Sequence, residues 1–308
     1  MKKLGILSLA LLLAACEKPE TQPAEEQAQE AVKTAAELSL DSSTPASALS
    51  QILAAQEDKT KARYDFRHPK ETIEFFGVTP GMTVVEVLPG DGWYSQILIP
   101  YLGKDGMLIG ADYGMNVWPN FPFGNEEFLK GRVNWPNEWQ QKSLAWAAEN
   151  GAAGLGATFP TIPERYNDKV DAVLFIRALH ALARFEDKGQ FLSNTLAKAH
   201  ALLKPEGIVG IVQHQASEDK TDEWADGTHG YLKKSNLIKA MDAAGFTFVA
   251  ESLINTNEKD QPGDDDIVWR LPPSYYTSNG DEEKQKAYDL IGESNRMTLL
   301  FKKSTVAE

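Results

Sequence analysis

Val84-Val85-Glu86-Val87-Leu88-Pro89-Gly90-Asp91-Gly92 is the stretch that decides the fold. An apolar run reaches the carboxylate Glu86 and then enters a turn carrying Gly90 and Gly92; Trp93, Tyr94, Ile97, Leu98 and Tyr101 follow at helical spacing. A short Val-rich run bounded by turn residues reads as a strand buried on both faces. Glycines in the turn let the backbone come close to a ligand. A carboxylate near the strand end can accept hydrogen bonds from hydroxyl or ammonium groups. Strand, glycine turn and helix in this order form the first unit of a nucleotide-type α/β site.

The same alternation continues outward. Gly106 to Asp112 reads as a second strand ending in an acid, Val170 to Ile176 as an apolar strand, Ile208 to Val212 as a strand launched by the turn Lys204-Pro205-Glu206-Gly207, and Phe246 to Glu251 and Arg296 to Lys302 as the last two. A weak strand is expected near Ala157-Thr158-Phe159. Helices are expected over Ser50–Ala62, Lys70–Phe76, Gln140–Asn150, Asp187–Leu203, Ser235–Ala244 and Glu282–Ile291, while Asn116 to Trp139, rich in Trp, Phe, Pro and Asn, reads as irregular. Strands alternating with helices predict a mostly parallel sheet covered on both faces.

The N-terminus reads as a targeting segment. Lys2 and Lys3 precede the short apolar core Leu4–Leu13, and Leu13-Ala14-Ala15-Cys16 resembles a bacterial lipoprotein processing site. Residues 1–15 are therefore expected to be a signal peptide and Cys16 the lipid-bearing residue, with Glu17 after it favouring the outer membrane. Residues 16–45, rich in Glu, Gln, Ala, Thr and Pro, read as a tether, and 46–308 as the folded domain. Cys16 is the only cysteine, so the mature domain has no disulfide and no thiolate nucleophile. With 44 Asp and Glu against 31 Lys and Arg the formal charge is -13, which excludes nucleic acid as a natural partner and suits a cationic or neutral small ligand.

Together these pieces resemble the class I S-adenosylmethionine-dependent methyltransferases: Val84–Gly92 as the first motif, Asp112 as the acid ending the second strand, and Leu203-Lys204-Pro205-Glu206-Gly207 as the turn before the fifth strand. Arg67-His68-Pro69, Pro80-Gly81-Met82 and Pro89 to Tyr94 narrow the resemblance to a secreted or lipoprotein group of predicted methyltransferases. It implies a Rossmann-like, doubly wound, seven-stranded sheet, mostly parallel, with an antiparallel last strand. It also implies an S-adenosyl-L-methionine site on Glu86, Pro89, Gly90, Gly92 and Asp112, with Asp112 accepting from the ribose hydroxyls. Leu88 stands where the family pattern has Gly, and the Leu-Pro pair is expected to move the tightest bend to Gly90.

Three histidines fall just past predicted strands, His180, His214 and His229. Imidazole titrates near neutral pH, so His180 is a candidate general base, with His214 and His229 orienting a small-molecule substrate. Three imidazoles could also hold a metal, although ordinary loop hydrogen bonding is the more common role and no metal is expected. Arg67 and Tyr94 fall on the substrate side, with Arg67 placed to reach a carboxylate. Two other functions use the same pocket: a non-catalytic envelope lipoprotein binding a nucleoside-like or cationic ligand, and a nicotinamide-dependent oxidoreductase, since an acid about twenty residues after a glycine loop also suits an adenosine ribose.

Overall fold

The computed structural model describes residues 45–304. The expected signal peptide, Cys16 and almost all of the tether lie outside them. Strands are β1 (Thr83–Val87), β2 (Met107–Asp112), β3 (Ala153–Thr158), β4 (Val170–Ile176), β5 (Leu203–Ala216), the two-residue β6 (Leu232–Lys233), β7 (Phe246–Ser252) and β8 (Arg296–Lys303). Helices are α1 (Pro45–Ala54), α2 (Asp58–Lys61), α3 (Tyr64–Arg67), α4 (Pro69–Phe75), α5 (Ser95–Leu102), α6 (Glu126–Ala147), α7 (Leu179–Arg184), α8 (Glu186–Gly189), α9 (Phe191–Leu202), α10 (Lys234–Ala243) and α11 (Glu282–Ile291).

The sheet order is β3-β2-β1-β4-β5-β8-β7, with β6 pairing β5 off this path. β1 to β5 pair in parallel, and β8 enters antiparallel between β5 and β7. This is the expected doubly wound, mostly parallel sheet of seven strands, with one extra short strand.

Side chains alternate strictly between two apolar layers, as the two-residue strand period requires. Val85, Val87, Ile109, Val173 and Phe175 pack with α7, α9 and α10. Val84, Leu108, Ala172, Leu174 and Ile176 pack with α1, α4, α5 and α6. Glu86 has the parity of the second set, which puts a carboxylate under α5 and α6.

The principal departure from the sequence reading is α6. Half of the supposedly irregular stretch Asn116–Trp139 is helix, opened by Asn125, whose side chain accepts from Phe128 N at 2.9 Å, with Glu126 and Glu127 in the first turn. Pro136 interrupts the helical pattern in sequence yet lies inside the helix. α6 lies unusually close to the sheet: a Cβ on Gly110 would meet the Trp139 ring at 2.3 Å, and one on Gly156 the Pro136 carbonyl oxygen at 1.9 Å.

Smaller differences follow local chemistry. The helix expected over 50–62 breaks into α1 and α2. That expected over 187–203 becomes α8 and α9. The turn at 204–207 is absorbed into β5 as an irregularity, with Glu206 at φ 63°.

Gly156→Ala is expected to destabilise the fold by about 2 kcal/mol or more, because the new methyl meets rigid backbone. Gly131→Ala, on the open side of α6 with no atom near its Cβ position, is expected to stabilise by about 0.5–1 kcal/mol. Thermal denaturation of the two variants beside the parent checks the placement of α6.

Candidate functional site

A cavity of about 1160 Å³ opens over the carboxyl ends of β1, β4 and β5, where open α/β sheets place their ligands. The turn after β1 forms one wall through Leu88, Pro89, Gly90 and Asp91. Leu88 itself adopts φ 55°, the conformation that glycine takes without cost, at about 1 kcal/mol for a residue with a Cβ. The bend thus begins at Leu88, not at Gly90. Gly90 (φ 60°) faces open space, so its backbone is free for a ligand. Gly92 serves packing instead: a Cβ there would lie 2.1 Å from the Trp146 ring, which forms part of the cavity wall.

The two predicted acids are both buried. Glu86 is 2% exposed, and Ser95 Oγ donates to its Oε2 at 2.6 Å. Trp139 Nε1 donates in turn to Ser95 Oγ at 3.3 Å. Burial pushes the Glu86 carboxyl up to about 7, with the Ser95 bond opposing. Glu86 lies under α5 and α6 and is not among the cavity walls. Asp112 is 0% exposed and is capped by Arg132, whose Nε donates to Oδ2 at 2.9 Å and whose Nη2 forms a second ion contact. Asp112 Oδ1 is buried without a hydrogen-bond partner. The Arg132 guanidinium lies 4.7 Å from the Trp118 ring centre and 5.4 Å from that of Trp135. Arg132 and Trp118, not Asp112, form the cavity surface at this end.

The lining is basic. Lys59, Arg63, Arg67, Arg132, Lys142 and Arg177 line it, against two acidic lining residues, Glu57 and Asp91. Overall charge led to the expectation of a cationic or neutral small ligand; the lining itself carries an excess of positive side chains, which disfavours the cationic one. Arg67 is 4% exposed, stacks 4.4 Å from the Trp93 ring centre, and leaves Nε and Nη1 without hydrogen-bond partners. Arg177, at φ 58° just past β4, is half-buried, and its guanidinium has no hydrogen bond or ion pair among the described residues.

One carboxylate faces this group. Arg63 Nε donates to Glu293 Oε1 at 2.7 Å, Arg296 Nη1 to Oε2 at 3.0 Å, and Arg67 Nε lies 3.8 Å from Oε2. Burial pushes the Glu293 carboxyl up, but Arg296, Arg67 and Arg63 outweigh it and hold it below its ordinary value. Burial, then the charges of Arg177 and Arg63, pull the Arg67 guanidinium down to about 8.

His180 and His214 line the cavity with ring centres 5.6 Å apart. Gln213 Nε2 donates to Gly230 O at 3.2 Å, which fixes the amide orientation and points its second hydrogen at His180 Nδ1, 3.4 Å away. Burial, with Arg177 and Arg184 adding to it, pulls His180 down to about 4, so it is neutral at pH 7. Its proton then sits on Nε2, which makes His180 a hydrogen-bond donor in this arrangement and not a ready base. His214 Nδ1 lies 2.6 Å from Ser294 Oγ, and burial holds its pKa well below normal. His229 stands apart: it stacks on Trp224 with ring centres 4.7 Å apart and is not part of the cavity wall. Tyr94 is also outside the wall, its hydroxyl donating to Arg67 O at 3.3 Å and so fixing the backbone that carries Arg67. Among the described residues no group of three or more His, Cys, Asp or Glu is placed to hold a metal, and no helix is long and apolar enough to cross a membrane.

The structure therefore brings together Arg67, Pro89, Gly90, His180 and His214, and leaves Glu86, Gly92, Tyr94, Asp112 and His229 behind or beside the wall. Sequence reasoning missed Arg132, hidden in a stretch read as irregular, and Glu293, in a loop with no motif. Arg177, just past β4, carries no motif that would have singled it out.

No family model matches the chain, and no curated protein matches it. Among solved structures, it is similar to a SAM-dependent methyltransferase from Aquifex aeolicus, with 14% identity, TM-score 0.45, and coverage of 85% of this chain and 100% of that one. It is similar to 1,6-didemethyltoxoflavin-N1-methyltransferase from Burkholderia thailandensis, solved with 1,6-didemethyltoxoflavin and S-adenosylhomocysteine, at 13% identity, TM-score 0.42 and 95% coverage of both chains. A third is an arsenic(III) S-adenosylmethionine methyltransferase from Chlamydomonas reinhardtii, at 11% identity and TM-score 0.44, covering 84% of this chain and 74% of that one. Likenesses this distant add nothing to the chemistry read from the residues.

The buried titrations have opposite signs. With its pKa raised, Glu86 binds its proton more tightly in the folded state, so its contribution to stability falls as pH rises from about 4.5 to about 7. With its pKa lowered, His180 takes up its proton first in the unfolded state, so stability falls as pH drops from about 6.5 to about 4. Relative to the parent, Glu86→Gln is expected to gain on the order of 3 kcal/mol between pH 4.5 and 8, and His180→Gln a similar amount between pH 7 and 4. Urea denaturation at stepped pH checks both; parallel curves for parent and variant would mean the group titrates normally.

Proposed function

We propose that this protein is a class I S-adenosylmethionine-dependent methyltransferase, acting on a small molecule in the cell envelope. The carrying observation is positional. The sheet order β3-β2-β1-β4-β5-β8-β7, with β8 antiparallel, puts an open glycine turn, a buried acid with one unpartnered oxygen and a large cavity at neighbouring strand ends. A nicotinamide oxidoreductase of the dinucleotide-binding type is disfavoured, because its sheet runs 3-2-1-4-5-6 without the antiparallel insertion.

The residues fit the cofactor in two respects. Gly90 offers backbone with nothing above it, and Asp112 Oδ1 has no close hydrogen-bond partner, although the Tyr113 N–H and the Trp118 indole lie toward the carboxylate and favour its charged form. Arg132 is the condition: its guanidinium lies across Asp112, so the ribose can reach the acid only when that side chain swings aside. The bound cofactor would supply an electrophilic methyl group. The chain supplies the rest. His180 Nε2–H and His214 hold the acceptor, Trp93, Trp146 and Trp269 wall the cavity against water, and the arginines fix charge. Methyl displacement is governed by alignment of nucleophile, carbon and sulfur, so positioning of this kind suffices without a strong base.

The lipoprotein-like segment ending at Cys16 supports attachment to the envelope, with the domain in the periplasm and the outer membrane as the anchoring site. A second reading, non-catalytic binding through the same cavity, is favoured by the closed Asp112–Arg132 pair.

Titration calorimetry of the full-length chain is expected to show one saturable site for S-adenosylhomocysteine and for S-adenosylmethionine, weakened at least about tenfold in Asp112→Ala through loss of hydrogen bonds to a charged acceptor. No saturable binding of either nucleoside, or equal affinity in Asp112→Ala, would remove the reading.

A further inference from the structure

We propose that the cavity grips an oxyanion, a carboxylate or a phosphate, between the guanidiniums of Arg177 and Arg67, and that this anion is the handle by which the methyl acceptor is recognised. Only the last clause rests on the methyltransferase reading.

The charges around the cavity do not balance without such a group. Arg63, Arg67, Arg177 and Arg296 converge on Glu293 alone. Arg63 and Arg296 take the close contacts, which leaves Arg67 at 3.8 Å and Arg177 with no side-chain contact to it. Buried charge without a close partner is costly; Arg67, whose Nε and Nη1 are buried without a hydrogen bond, lines the same cavity as Arg177. The Arg67 side chain and the backbone that carries Arg177 are held in place before any ligand arrives. Arg67 stacks on Trp93, with its backbone oxygen accepting from Tyr94. Arg177 sits on a left-handed residue whose N–H is tied to Val212 O at 2.6 Å. A planar fork with free N–H groups matches the paired oxygens of a carboxylate or phosphate. His180, neutral and carrying its hydrogen on Nε2, adds an uncharged donor at the same wall.

The chemistry also fits the reaction. A sulfonium brought to this wall would face uncompensated guanidiniums, and an anionic co-occupant relieves that repulsion. Two sources of the anion are possible in a methyltransferase, the amino-acid end of the cofactor and the acceptor, and the test separates them.

The test is titration calorimetry of the full-length chain with inorganic phosphate, pyrophosphate and citrate at low ionic strength, glycerol serving as neutral control, and the same titrations repeated with saturating S-adenosylhomocysteine. The expected result is one saturable site for at least one of the three anions and none for glycerol. Affinity should be weakened at least about tenfold in Arg177→Gln and retained with S-adenosylhomocysteine present. Arg177 makes no side-chain contact on which folding depends, so Arg177→Gln should melt at or above the parent temperature without anion; Arg67→Gln is a second variant, set aside if it fails to fold. Absence of saturable binding by all three anions, or undiminished affinity in Arg177→Gln, overturns the proposal. Competition that eliminates anion binding when S-adenosylhomocysteine is present assigns the guanidiniums to the cofactor and overturns the acceptor role. Anion binding in a chain that ignores S-adenosylhomocysteine keeps the anion site and removes methyl transfer.

Discussion

The single carboxylate of Glu293 is the constraint on which the site depends. It is the charge that lets Arg63 and Arg67, from the segment before β1, lie against Arg296 at the start of β8. Those segments are more than two hundred residues apart in sequence, and their meeting closes one side of the cavity. Arg296 also donates to Phe66 O, so the same cluster pins the backbone of α3. Removing the carboxylate would leave mutually repelling guanidiniums in a buried place, which is the costly case for an ion cluster. The cluster is also incomplete. One negative charge among four positive ones holds the wall in position and leaves it electrostatically open to a ligand.

The fold was legible because it is written in period and punctuation. β1, β4 and β5 announce themselves as Val- and Ile-rich runs, and the two apolar layers follow from alternation. α6 and β3 were legible only in part, the helix from Gln140 and the strand as a weak run near Ala157, and for a shared reason. The helix lies so close to the sheet that β3 and β2 must present Gly156, Gly154 and Gly110 beneath it, and a glycine-rich strand loses its signature. Pro136 and two tryptophans, which fill that narrow interface, then make the helix look irregular.

The site was legible only where function sits on a motif. Gly90 and Pro89 were placed by the glycine turn, and His180 and His214 by the rule that ligands gather at strand ends. Glu86 and Asp112 were read as ligand contacts because they end strands. In the structure Glu86 is held by Ser95, and Asp112 is covered by Arg132. Net charge misled for a physical reason: a formal charge of -13 describes the whole surface, whereas a cavity answers to the few groups inside it. Nothing in the local sequence around Arg132 or Glu293 signals their partners, Asp112 for the one and Arg63 and Arg296 for the other, because tertiary contact brings these together.

Arg132 joins the structure to its chemistry, since it covers the acid to which an adenosine ribose would bind. The most direct measurement is a crystal structure of the full-length chain grown with S-adenosylhomocysteine. The account predicts Arg132 swung away, both ribose hydroxyls on Asp112, and the turn at Gly90 against the amino-acid end. An intact Asp112–Arg132 pair with the nucleoside bound elsewhere, or not bound at all, would contradict it.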